Sequence, residues 1–408
     1  MKCIYLIFIM SISLSAYAGW EAKTEMPVAR SGAVAVTIGD TIYLIGGKNN
    51  EMGYLDRVDV YYPLTDSWDT MSMPSLKNER SNAAAIVFEN LLYVIGGRDE
   101  DGVLNSVEMY HPEEKKWENV QNMHYQREGA FVVPFNNRLH IFGGAAESGS
   151  LVDDVERYNF SEDKWENAEF DFDPPRVSAF SFVYNDTVFV FGGFYFSPLS
   201  SSLKLSPDRL WLNGPYLNQP RGAGSTALVE NYAYFIGGES SQSGTAQVER
   251  YNLSTGEITY DLSLSIPRAA HATAVHDKSI YVFGGYSGNT ANILNRVEAY
   301  QPLVSSVKNE LINSVPNETE LLQNYPNPFN GTTRIKFTIN QNTVVELTIY
   351  DDSGRLIKEI YLGQLAPASY VIPWNGDSST GQVSSSGVYF VVLKTPENIL
   401  SRKIIHIK

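Results

Sequence analysis

The chain is predicted to be all-β: six copies of one strand-rich unit, followed by a small β-sandwich. Three observations predict this. A Gly-Gly pair recurs six times, at Gly46-Gly47, Gly96-Gly97, Gly143-Gly144, Gly192-Gly193, Gly237-Gly238 and Gly284-Gly285, with intervals of 50, 47, 49, 45 and 47 residues. Each pair ends a run dense in β-branched and aromatic residues, as buried strands require. The end of the chain alternates short strand-like runs with polar turns. A period of this size marks a repeat architecture, because one such unit cannot bury its apolar face alone and stacks on its neighbours.

The repeats can be read in order. The glycine-ending runs are TIYLIGG (41–47), LLYVIGG (91–97), RLHIFGG (138–144), TVFVFGG (187–193), YAYFIGG (232–238) and SIYVFGG, ending at Gly285. A second run precedes each, as in GAVAVTI (32–38), and a polar turn joins the two. An arginine stands sixteen residues before the first glycine in all six repeats: Arg30, Arg80, Arg127, Arg176, Arg221 and Arg268. Tyr and Trp lie seven residues apart in three repeats, as Tyr61 and Trp68, Tyr110 and Trp117, Tyr158 and Trp165. Repeat four puts Lys204 in the Tyr position before Trp211; repeats five and six keep Tyr251 and Tyr300 but replace the Trp by Ile258 and Val307. Five repeats carry an acid two residues before the Tyr position, namely Asp59, Glu108, Glu156, Glu249 and Glu298, and repeat four has Ser202 there.

This pattern resembles the kelch repeat over residues 20–307. The resemblance implies a six-bladed β-propeller around a central channel, each blade a four-stranded sheet. Closure follows from the residues. Trp20 stands ten residues before Arg30, as Trp117 and Trp211 stand before Arg127 and Arg221. Residues 19–24 are therefore expected to form the outer strand of blade six, which joins the two ends of the ring.

The two ends of the chain concern delivery. Residues 1–18 read as a secretory signal peptide, with Lys2, an apolar stretch from Ile4 to Leu14 and the small-residue site Ala16-Tyr17-Ala18. The only cysteine, Cys3, falls inside it, so the mature protein is expected to have no disulfide and no transmembrane segment. Residues 308–320 read as a linker and 321–408 as the second domain, an immunoglobulin-like β-sandwich of about seven strands. This tail resembles the C-terminal sorting domain of the bacterial type IX secretion system. The carrying residues are Asn324, Tyr325, Pro326, Asn327, Pro328, Phe329 and Asn330, then Gly354-Arg355, Ser386-Gly387-Val388-Tyr389-Phe390 and a lysine-rich ending at Lys408; Gly331 departs from the family, where Pro is common. The resemblance implies a passenger exported through the periplasm to the outer-membrane surface or the medium, with the type IX machinery as partner.

Charge narrows the other partners. The chain has 31 basic and 46 acidic residues, and the excess lies in the propeller with its linker, 22 basic against 38 acidic. Such a balance argues against nucleic acid and anionic membranes. The stretch Arg98-Asp-Glu-Asp-Gly102 has the spacing of oxygen ligands before a turn but lacks the rest of a calcium loop; an exposed turn is the simpler reading, and no metal or cofactor is expected.

Six arginines in one register must form a ring. The residues after each Gly-Gly likewise begin six equivalent loops, among them Lys48, Asn49, Arg98, Glu147, Phe194, Tyr195, Glu239 and Tyr286. In ligand-binding kelch propellers these two sets share a face, so the resemblance implies a mouth combining arginines with aromatic and acidic loops, suited to carboxylates, sugars or peptide side chains. Regular arginines beside regular acids also suggest structural pairing for most of the ring. Arg176 and Arg221, nearest the acid-free repeat, are then the ones expected free to bind. The histidines do not cluster, no His-Glu-x-x-His or Gly-x-Ser-x-Gly element occurs, and without a mature cysteine copper-radical oxidation of the galactose oxidase kind is excluded. The sequence favours an exported propeller that binds protein or carbohydrate. A sugar epimerase or mutarotase at an arginine-lined mouth and a structural envelope protein are the alternatives.

Overall fold

The computed structural model of the chain describes residues 19–240, 243–302, 318–330, 333–365, 368–374, 376–378 and 384–407. Residues 1–18, which read as a signal peptide and include Cys3, lie outside the described residues, as do Val307, Gly331, Lys408 and most of the segment read as a linker. Two compact units are present, one over Gly19–Pro302 and one containing the C-terminal domain.

The first unit is a ring of six four-stranded antiparallel sheets. Blade one runs from the inner strand Val34–Ile38 through Thr41–Ile45 and Val58–Tyr62 to the outer strand Ser67–Asp69. The inner strands of the other blades are Ala84–Phe88, Phe131–Phe135, Phe180–Tyr184, Ser225–Val229 and Ala272–His276, and each packs against the next, the last against the first. The second strand of each blade is the most buried: in TIYLI, LLYVI and their equivalents nearly every side chain is covered, because blades stack on both faces.

The outer strand of blade six is Glu21–Lys23, paired antiparallel with Val297–Tyr300, as the position of Trp20 led us to expect. Trp20 lies 5.2 Å from Tyr300, matching Tyr61–Trp68 at 4.9 Å and Tyr110–Trp117 at 5.0 Å. These indoles also staple blades to the segments entering them. Trp20 donates to Leu262 O, Trp68 to Thr24 O, Trp117 to Pro74 O and Trp211 to Asp171 O.

Repeat four differs from its sequence reading by one residue. Trp211 pairs with Leu205, and Val190 with Leu203, in the places where other blades pair Trp with Tyr and the residue two before Gly-Gly with the acid. The hairpin before Trp211 is one residue shorter than elsewhere. Fixed spacing therefore pointed to Lys204 and Ser202, whereas Leu205 takes the Tyr slot and Leu203 the acid slot.

The second unit is a sandwich of two sheets. Glu320–Leu321, Thr333–Ile339 and Ala368–Trp374 form one; Leu356–Leu365, Thr343–Asp351, Gly387–Lys394 and Ile399–His406 form the other. Alternate residues such as Ile335, Phe337, Ile339 and Val345, Leu347, Ile349 point into a shared core with Trp374.

Candidate functional site: the ring and its mouth

The Arg-Gly-Gly repeat is the fastening of the ring. The second glycine of each pair donates its N–H to the carbonyl of the next blade's arginine: Gly47 to Arg80, Gly97 to Arg127, Gly144 to Arg176, Gly193 to Arg221, Gly238 to Arg268 and, across the chain ends, Gly285 to Arg30, at 2.8–3.1 Å. The first glycine has φ between 55° and 62°, and a Cβ there would press into that same carbonyl. Each arginine side chain folds back on the first glycine's carbonyl in its own blade, which explains the sixteen-residue spacing.

A second ring lies at the channel entrance. Gly32, Asn82, Gly129, Ser178, Ala223 and Ala270, each two residues after an arginine, have positive φ and bond head to tail. Asn82 N–H donates to Gly32 O, Gly129 to Asn82, Ser178 to Gly129, Ala223 to Ser178, Ala270 to Ala223 and Gly32 to Ala270, at 2.7–2.9 Å. Sequence reasoning missed these positions; the signal was a small residue at the same offset in all six repeats. They open a cavity of about 330 Å³ walled by the inner strands of all six blades. Its wall is mostly alanine and glycine, with a polar side where Ser225 bonds His271 Nε2 at 2.8 Å and meets Thr273. Burial, and then the Arg268 charge, push His271 down to about 3, so its imidazole is neutral.

The arginines do not line this mouth. All six are 0–1% exposed. Arg30 is bonded to Asp59, Arg80 to Glu108 at 2.6 Å, Arg127 to Glu156 at 2.7 Å, Arg221 to Glu249 and Arg268 to Glu298. The carboxylates also collect backbone N–H groups from the segment before the arginine, as Glu108 does from Lys77 and Asn78. The expectation that the arginines present themselves to ligand is thus corrected: the strands that carry them bury them, and desolvation holds the paired guanidiniums of Arg30, Arg80, Arg127 and Arg268 below their ordinary range. Arg221 is not free, since its partner is Glu249. Arg176 alone lacks a carboxylate within ion-pair distance among the described residues, because Leu203 stands in the acid slot.

The loops after Gly-Gly do gather at the mouth. Lys48, Arg98, Ala145, Phe194, Glu239 and Tyr286 each form a bridge with the residue following an arginine, namely Ser31, Ser81, Glu128, Val177, Gly222 and Ala269. The two sets therefore share one end of the ring. There Arg98 bonds Glu128 at 2.9 Å and lies 3.3 Å from Glu147, joining blades two and three. Tyr286 donates to Glu239 between blades six and five, and burial together with that carboxylate raises its phenol above the ordinary range. Lys48 Nζ sits 4.3 Å over the ring of Tyr54, and Asn49 is tied to Ala29 O. Phe194 packs against Gly222. Tyr195 is 39% exposed and Phe196, beside it at 4.6 Å, is 98% exposed.

The Arg98–Gly102 stretch is a turn in which Asp99 accepts the N–H groups of Asp101 and Gly102. Among the described residues no three His, Cys, Asp or Glu side chains stand together as metal ligands.

In the C-terminal unit the opening motif is a clamp on the last strand. Asn327 Oδ1 accepts Ile405 N–H at 2.8 Å while its Nδ2 donates to Lys403 O. Phe329 N–H donates to Ile405 O, and Ile407 N–H to Phe329 O. Buried Asn324 bonds Pro326 O and Thr333, and the Phe329 ring stacks on His406 at 4.7 Å against Trp374. Tyr325, Pro326 and Pro328 remain exposed. Gly354 turns between strands at φ 82°, and Gly387 begins the strand Gly387–Lys394.

Comparison with known proteins agrees with both halves. Models of the KLHDC2/KLHL20/DRC7 Kelch-repeats domain and of the Kelch motif match residues 6–193 and 267–306, and the FlgD Ig-like domain matches 324–397. Kelch-like protein 40 of Xenopus laevis is 31% identical over 155 residues, covering 36% of this chain and 25% of that protein. Beta-scruin of Limulus polyphemus is 25% identical over 300 residues, covering 66% of this chain and 32% of that protein. The chain thus spans about a quarter to a third of the length of these relatives. The solved structure of YjhT shares the fold, with a TM-score of 0.59 at 14% identity over 67% of this chain and 95% of that one. The chain is a six-bladed kelch-repeat β-propeller with a C-terminal immunoglobulin-like domain.

Proposed function

We propose that this is an exported binding protein that docks a partner protein on the loop face of the propeller, and that its C-terminal domain is the address read by the type IX secretion system. The observation that carries the first part is the loop Phe194–Pro198. Phe196 is almost wholly exposed at φ 76°, a backbone region that bulky residues rarely adopt, and Tyr195 braces it edge-on. Folding gains nothing from an apolar ring left in water. A preorganised aromatic anchor for a pocket on a partner gains much. Lys48, Arg98 and Glu239 supply a charged surround on the same end of the ring.

Catalysis among arginines has less support. Glu79 is the only carboxylate among the described residues held above its ordinary range, by partial burial and by Glu100, Asp99, Asp56 and Asp101, and it sits among acids rather than arginines. The test of binding is a protein and glycan array probed with the mature chain and with a Tyr195→Ser, Phe196→Ser double variant. A specific protein ligand lost in the variant supports the reading. Binding that survives the double change, or binding only of glycans, overturns it.

The export reading rests on the match of the NYPNPFN segment and on its clamp over the last strand. It predicts that a type IX-competent bacterium secretes the full chain and an isogenic strain without the translocon retains it in the periplasm. Equal secretion by both strains refutes it.

A further inference from the structure

Five blade arginines meet a buried carboxylate and the sixth does not. Arg176 is 1% exposed. Its Nη1 donates to Gly192 O and Ser201 O, both at 3.0 Å. Its Nε has no partner. Blade four has lost the acid and part of what held it. In blades two and three the carboxylate takes N–H groups from the two positions before the residue preceding the arginine, Lys77 and Asn78 or His124 and Tyr125. In blade four the second of these positions is Pro174, which has no N–H to give. Leu203 fills the acid slot, and the arginine remains.

We propose that Arg176 holds a small monovalent anion of the chloride class on its free Nε–Nη2 edge, replacing the missing carboxylate. A guanidinium does not lose its proton at neutral pH, so the buried charge persists. Desolvation pulls Arg176 down to about 10, and no acidic neighbour offsets it. An unpaired buried charge is strongly unfavourable, and a counter-ion on two parallel donors relieves it. The guanidinium is shut off from water, so its charge is weakly screened; the face of the Phe172 ring, 6.0 Å from the guanidinium carbon, offsets only part of it.

Two measurements on the mature chain test this. Crystals soaked in bromide and measured at the bromine edge should give an anomalous peak beside Arg176 and none beside Arg80. In solution, replacing gluconate by chloride at constant ionic strength should raise the unfolding midpoint by several degrees. Arg176→Met and Leu203→Glu should each abolish that dependence, the second by supplying an internal carboxylate. If Leu203→Glu does not fold, Arg176→Met carries the solution test. Absence of a peak at Arg176, or chloride dependence that persists in Arg176→Met, overturns the proposal.

Discussion

Replacing Arg80 by Met keeps the side chain's length and apolar stem and removes only its charge and donors. Arg80 donates to Glu108 at 2.6 Å, to Gly96 O at 2.9 Å and to Ser106 O at 3.2 Å, and both side chains are almost fully covered. The variant leaves Glu108 buried with only the N–H groups of Lys77 and Asn78. Orphaning one partner of a buried pair costs about 3–5 kcal/mol. For a unit of this size about 1 kcal/mol moves the midpoint by roughly 2–4 °C, so a drop of roughly 6–20 °C is expected. Arg176→Met is the internal control. It removes two carbonyl bonds, each worth about 1 kcal/mol, and also a buried charge that no carboxylate repays. Its net effect in chloride-free buffer should lie within about 1 kcal/mol of zero, of either sign. Calorimetry of both variants in gluconate decides the matter. Equal losses in the two would refute the claim that the carboxylate left behind, rather than the arginine removed, sets the penalty. Arg80→Met with Glu108→Gln should recover part of the loss.

Gly96→Ala should destabilise by about 3 kcal/mol or more, because positive φ is unfavourable for alanine and its Cβ meets Arg127 O; denaturant midpoints check this. Trp20→Ala should loosen ring closure by about 3 kcal/mol and raise hydrogen exchange in Val297–Tyr300 before other blades, since the indole covers Tyr300 and bonds Leu262 O. His140 is buried among Phe135, Phe142 and Phe170, and that burial lowers it to about 4. The unfolded chain therefore binds its proton first, and stability is lost as pH falls from 6.5 through 4. His140→Phe should flatten that acid limb by up to about 3 kcal/mol, measured as the unfolding midpoint between pH 7 and pH 4.

Much of the ring was legible in the sequence for one reason: backbone contacts repeated six times demand the same residues six times. A φ near 60° against a neighbour's carbonyl admits only glycine, and a guanidinium reaching back to that glycine fixes the arginine's distance. Trp20 was legible because a closed ring must supply one missing outer strand. The partner of each arginine was less so. Acid and arginine share a register in five repeats, but spacing alone misplaced the slot in repeat four, where a shorter hairpin shifts Leu203 and Leu205 into it. Pairing of most arginines was suggested by the acids that recur with them, but which arginine lacks one was narrowed only to Arg176 or Arg221, since blade register sets the partner. The entrance ring escaped notice because Gly, Asn, Gly, Ser, Ala and Ala share smallness rather than identity.

By itself the sequence determined the number of blades, the closure through the first strand and the two-part organisation of the chain, because each rests on local backbone rules that repeat. Only the tertiary structure decided which polar groups are spent inside the ring and which remain for partners. Five arginines are neutralised by acids some 28 to 30 residues away, Arg176 is left unpaired, and Phe196 is held out in water. Such outcomes depend on distances between residues far apart in the chain, and a guanidinium has the same letter whether buried against a carboxylate or against leucine.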